Sequence, residues 1–199
     1  MSSTETTTDP AAEAVRVVEG RTVPAPGTWT IDASHSTVGF VTRHLMVSKV
    51  RGQFSEYSAD LVIADRPEDS RVDVTIQVAS VTTNDEGRDG HLLSPDFFDA
   101  ETYPTITFRT TSVEPVGDDE WKVTGDLTVR DVTKPVVLSV EFAGVSSDPW
   151  GNTRAGFSAT TEIDREEFGL TWNQPLAGGG VLVGKKVKLE LEVQAIQAK

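Results

Sequence analysis

The chain has no cysteine in its 199 residues. That excludes disulfides, thiol catalysis, thioether-linked haem and lipidation at a thiol. Histidine is scarce too: His35, His44 and His91 are the three. Cations are outnumbered, with 18 Lys and Arg against 31 Asp and Glu, a formal net charge of −13. A chain of this sign lacks the basic face that nucleic acid needs, so no nucleic-acid partner is expected. General attraction to anionic lipid headgroups is opposed as well, which leaves only a local basic patch for such contact. No apolar run is long enough for a membrane-spanning helix. The N-terminus, MSSTETTTDPAAEAVRVVEGRTVPAPG, has neither the basic start nor the apolar core of a signal peptide. The expected location of the chain as it stands is cytoplasmic.

What the sequence has in quantity is alternation. Trp121, Val123, Gly125, Leu127 and Val129 alternate with Lys122, Thr124, Asp126, Thr128 and Arg130; Val187, Leu189, Leu191 and Val193 alternate with Lys186, Lys188, Glu190 and Glu192. Period two, apolar against polar, marks half-buried antiparallel strands. Such runs fall near 28–33, 36–46, 49–64, 70–82, 104–115, 120–131, 133–146, 153–165 and 181–196, about eight or nine strands by that pattern. Within 49–64 the apolar parity switches, which predicts a β-bulge or bend near 55–58. Residues 1–26 are rich in Thr, Glu, Ala and Pro, and predict a disordered acidic tail. The folded domain is then 27–199.

No helical stripe is long enough for a βαβ unit, so the fold class is all-β, a sandwich or a closed barrel. Gly125, Ala155, Ala159, Thr161 and Ala195 are small residues on inward faces. In a barrel of about eight strands they favour a ligand cavity over a filled interior.

The exception to the pattern is GRDGHLLSPDFFDAETYPTITF, residues 87–108. Acids in the first turn and Ser94-Pro95 as a second start predict two short helices, 85–93 and 95–99, closing one barrel end. Phe97 and Phe98 would plug inward. A lid held by salt bridges and packing is one reading of Arg88 and His91, a ligand contact the other.

The three histidines lack metal-ligand spacing, so no metal is expected. GGVLVGKK, residues 179–186, approaches a phosphate-binding loop, but Lys186 stands where Ser or Thr is needed and a strand pattern follows instead of a helix. No nucleophile elbow or inward carboxylate pair is visible, so no catalytic residue is named.

Five ordered segments resemble the YceI-like family: TWTIDASHSTVGFVTRHL, VRGQF, GRDGHLLSPDFFDAETYPTITF, GDLTVRDVTKPVVLSVEF and IDREEFGLTW. The likeness runs from about Trp29 to Ala195. It implies a single antiparallel lipocalin-like β-barrel with a short helical lid. It further implies a non-catalytic protein that binds a lipophilic small molecule, a polyisoprenoid, isoprenoid quinone or lipid, as carrier, store or sequestering agent. On that reading His35, His44, Arg88 and His91 would meet the ligand head group. Phe40, Phe54, Phe97, Phe98, Phe108, Phe142, Phe157, Ala159, Phe168 and Trp172 would line its tunnel. No cofactor is implied, and a homodimer stays open. Two alternatives remain: an enzyme acting on an isoprenoid or lipid through a His/Arg cluster, and a structural, stress-related barrel with a filled interior.

Overall fold

The alternating runs become strands because each then turns its apolar set to one side and its charges to the other. The structure, a computed structural model, describes residues 13–198. A hairpin, β1 (Val15–Val18) and β2 (Arg21–Pro24), comes first. The wall follows: β3 (Gly27–Ile31), β4 (Thr37–His44), β5 (Ser48–Phe54), β6 (Tyr57–Ile63), β7 (Arg71–Gln77) and β8 (Val81–Thr82). After helix α1 (Glu86–Leu93) it continues with β9 (Thr105–Pro115), β10 (Glu120–Val129), β11 (Val132–Ser147), β12 (Thr153–Asp164) and β13 (Val183–Gln197).

Three of these wall strands are broken ones. β3 and β4 both pair with β13, Ile31 opposite Ala195 and Thr37 opposite Glu192. Residues 32–36 bulge out between them. β5 and β6 are one strand bent at residues 55–56, inside the segment where the parity switch predicts a bend. β7 and β8 are likewise one strand, interrupted by a 3-10 turn at Val78–Ser80. Joined this way, the strands make an eight-stranded antiparallel meander, and β12–β13 and β13–β3 pairing closes it. Closure removes the exposed sheet edges.

Two expectations change. The tail expected over 1–26 is ordered from β1 onward; its first twelve positions lie outside the described residues. The hairpin turns at Glu19 and Gly20, both with positive φ (51° and 84°), the geometry of a tight two-residue turn. Ala14 and Val23 are buried. Arg16 fastens the hairpin to the carbonyls of Ala64 and Asp65 (both 2.6 Å), and Arg21 to that of Gly117 (2.9 Å). It thus covers the barrel end at which β3 begins. The second correction concerns 95–99, which form hydrogen-bonded turns rather than a helix: the amides of Phe97 and Asp99 both reach the Ser94 carbonyl. The bonds run back to one residue and do not propagate. α1 is capped by Asp85, whose carboxylate accepts from the Arg88 amide (2.9 Å). Helix and turns cover the opposite barrel end.

Candidate functional site

Between the two covers lies a cavity of about 360 Å³, within the size range of small-molecule sites. Its wall is almost wholly apolar, contributed by every strand of the barrel. Val23 and Pro24 of the hairpin line one end; Leu92, Phe97 and Phe98 of the lid line the other. Of the ten residues expected along a tunnel, Phe40, Phe54, Phe97, Phe98, Phe108, Phe142, Phe157, Ala159 and Phe168 border this cavity. Trp172 does not. Its ring packs on His91 (4.6 Å between centroids) and Phe97 (5.4 Å), clamping the lid.

The small inward residues act less simply than the pattern suggests. Only Ala159 of the five borders the cavity. Ala155 and Ala195, fully buried ladder partners, share a core cluster with Trp29 at the hairpin end. Gly125 is already covered: a Cβ there would meet Phe108 Cζ at 2.3 Å and the Arg109 carbonyl at 2.6 Å. Phe40 lies over Gly52 in the same way. These glycines let aromatic rings lie flat on the wall, and so shape the cavity rather than enlarge it.

None of the four residues expected at a ligand head group borders the cavity. His35 belongs to the 32–36 bulge, where its Nδ1 lies 2.8 Å from Asp32 Oδ2. Asp32 also accepts from Ser34 Oγ (2.6 Å) and Arg154 Nη1 (2.5 Å), while Ser36 Oγ donates to the Asp32 carbonyl (2.7 Å). The bonds from Ser34, then Arg154 and His35, hold the Asp32 carboxyl well below the usual carboxylate range. This knot fixes the bulge. His44 ends β4, half-buried beside Ser48 and Val183 in the ladder. Arg88 turns to Thr83, donating from Nε to Oγ1 (2.7 Å) and from Nη2 to the carbonyl (3.0 Å). Asp89 accepts from the same residue's amide (2.8 Å) and hydroxyl (2.5 Å). Burial pushes the Asp89 carboxyl up, but the Thr83 bonds outweigh it and its pKa lies below the ordinary value. His91 pairs with Asp96 (2.9 Å) and stacks edge-on against Phe97 (5.0 Å). Among the described residues no group of His, Asp and Glu is placed to share a metal.

Two cations border the cavity: Arg71 of β7, which is exposed, and Arg165, which is buried. Arg165 stands at the lid end. It is 4% exposed. Its Nε donates to the Gly184 carbonyl (2.9 Å), Nη1 to that of Leu170, and Nη2 to that of Val183 (3.4 Å). Its guanidinium stands 6.0 Å from the Phe97 ring centre. Burial lowers its pKa, against the charges of Glu166 and Asp164. Five N–H donors serve three carbonyls, so each terminal nitrogen keeps one. Among the described residues no carboxylate makes an ion pair with it. A buried cation with no carboxylate in direct contact favours an anion brought to it. Arg130 ties the same end together, reaching the carbonyls of Phe97 and Gly169 (both 3.3 Å). Sequence parity carries the signal for Arg165: it continues the odd-numbered inward set of 155–163.

A family model described as a YceI-like domain matches residues 29–195. The chain belongs to the YceI-like family. A UPF0312 protein of Staphylococcus aureus (strain USA300) is 40% identical over 170 residues, 83% of this chain and 95% of the relative. The crystal structure of the Campylobacter jejuni YCEI protein superposes with a TM-score of 0.67 at 34% identity, covering 79% of this chain and 90% of that one. A polyisoprenoid binding domain from Saccharophagus degradans superposes with a TM-score of 0.67 at 16% identity, over 87% of this chain and all 100% of that one. At that identity the likeness is one of fold. The YceI-like match begins at Trp29, after the hairpin that covers one barrel end.

Proposed function

We propose that the protein binds a long-chain amphiphile and carries or sequesters it without transforming it. The apolar tail occupies the cavity, and the polar head lies at the lid end against Arg165. The observation that carries this reading is the cavity itself, apolar from the hairpin to the lid, with a buried cation on its wall that no described carboxylate pairs with. Burial of the tail supplies the driving force, at roughly 25 cal/mol per Å² of apolar area. An anionic or carbonyl head supplies the acceptor that the remaining Arg165 donors lack. The isoprenoid named for the Saccharophagus degradans domain is the guest class with the most support. The open volume favours this reading over a filled structural barrel. His35, engaged in the bulge, and His91, engaged in the lid, favour it over an enzyme.

Organic extraction of protein purified without detergent, followed by mass spectrometry, tests the reading. The expected finding is a long-tailed lipid with an anionic or carbonyl head. Arg165→Met should then weaken a polyprenyl phosphate about tenfold to a hundredfold, the worth of a charge-assisted hydrogen bond, and the matching polyprene little. An empty barrel that takes up neither compound would overturn it.

A further inference from the structure

Acidic residues occur at about one in six along this chain, yet residues 33–55 and 168–189 contain none. The first stretch holds Arg43, Lys49 and Arg51, the second Lys185, Lys186 and Lys188. Remote in sequence, the two are neighbours in the wall, because β4 pairs with β5 on one side and β13 on the other. One corner of a molecule with net charge −13 is therefore cationic. It lies at the lid end.

Most described cations elsewhere are engaged with carboxylates or carbonyls. Arg43, Lys49, Arg71, Lys122 and Lys186 make no ion pair or side-chain hydrogen bond among the described residues, and three of these five stand in this corner. Arg43 and Lys49 are direct cross-strand partners, an arrangement that like charges disfavour. Lys186 stands in a bulge, where the register moves from Val183 opposite His44 to Val187 opposite Thr42.

The tip of the corner is apolar. Leu45, Met46 and Val47, between β4 and β5, are 39%, 52% and 79% exposed. Leu45 and Met46 hold φ of 52° and 60°, in a turn ordinarily built from Asn and Gly. Side chains with a Cβ are strained there, and these two make up for it with no burial. The Leu45 amide donates to the Leu182 carbonyl (2.8 Å). The turn thus leans on residues 174–182, QPLAGGGVL, which carry no charge.

We propose that this corner docks on the surface of an anionic lipid bilayer. Leu45, Met46 and Val47 enter the headgroup layer, and Arg43, Lys49 and Lys186 lie against the anionic headgroups. An exposed apolar tip beside free cations is the chemistry of a bilayer interface. Nucleic acid would take the cations, leave the tip in water and repel the rest of the molecule. Docking turns the Arg165 end of the cavity toward lipid. It does not depend on what the cavity holds, since a filled barrel with this corner would dock in the same way.

Co-sedimentation of the full chain with phosphatidylcholine vesicles, with and without phosphatidylglycerol, tests the proposal. Binding is expected to the anionic vesicles, and to fall at high salt. Each cation near such a surface is worth roughly a fivefold change in partition, so Lys49→Gln with Lys186→Gln should weaken it about thirtyfold. Lys122→Gln, at an equally free cation on β10, should leave it unchanged. Met46→Gly should raise the melting temperature by relieving strain and still weaken binding, which separates docking from folding. Binding to neither vesicle, equal binding to both, or indifference to the paired lysine change would overturn docking, whatever lipid extraction finds in the cavity.

Discussion

The guanidinium of Arg88 closes on Thr83, with Nε 2.7 Å from Oγ1 and Nη2 3.0 Å from the carbonyl. Thr83 is buried at the step from β8 into the lid. The pair ties the start of α1 to the wall, so Arg88 positions the lid and does not border the cavity. Arg88→Ala should cost about 1–2 kcal/mol in urea unfolding, the loss of two charge-assisted bonds discounted for an exposed side chain. A polyprenyl phosphate and its parent polyprene should lose affinity equally. A selective loss for the phosphate would return Arg88 to the head group.

Ala159 and Gly125 are both small and inward, and their enlargement should have opposite consequences. Ala159→Phe places a ring in open volume; the fold should survive while titration shows that a long isoprenoid quinone no longer enters. Gly125→Ala drives a methyl group into Phe108 and a backbone carbonyl, and should destabilise by roughly 1–3 kcal/mol in denaturant melts.

Arg154 is gripped by Asp32 (2.5 Å) and Asp148 (2.8 Å). Burial pushes the Asp148 carboxyl up, but bonds from Asn152 and then Arg154 bring it well below its ordinary value, as Ser34 and Arg154 do for Asp32. The unfolded chain takes up these protons near pH 3.9, whereas the fold resists. The stabilisation is therefore complete above that value and is lost as pH falls beneath it. Melting temperature should drop steeply between about pH 4 and pH 2, and less steeply in Arg154→Gln.

Deleting residues 1–26 should lower stability. Val23 and Ala14 are buried on the barrel end, and uncovering them and their neighbours should cost about 2–4 kcal/mol, roughly 5–15 °C for a chain of this size. An unchanged melting curve would mean that the hairpin rests on the barrel without supporting it.

The wall was legible because period-two alternation is a direct consequence of strand geometry, even to the bend at residues 55–56. The hairpin was not: four-residue strands carry too little pattern, Glu-Gly is a weaker turn signal than Asn-Gly, and the order comes from tertiary docking of Val23 and Pro24. Aromatic residues mapped onto the cavity because inward parity and size are local properties. The polar site did not, since a charged turn such as 85–96 can be satisfied by its own neighbours. Arg88 is used up on Thr83, His91 on Asp96, and His35 on Asp32. Arg165 does not stand out in the sequence although its parity points inward, because an apolar strand ending in a cation ordinarily hands that cation to solvent.

The two covers have a kinetic meaning. Val23 and Pro24 border one end of the cavity and the Phe97 turn the other, so a guest bound as proposed would pass one of these covers on leaving. Where leaving requires a cover to move, the lifetime of such a complex follows the rate of that movement as well as tail length. A barrel covered in this way would, on the proposed function, hold its guest through dilution and release it where the lid is displaced.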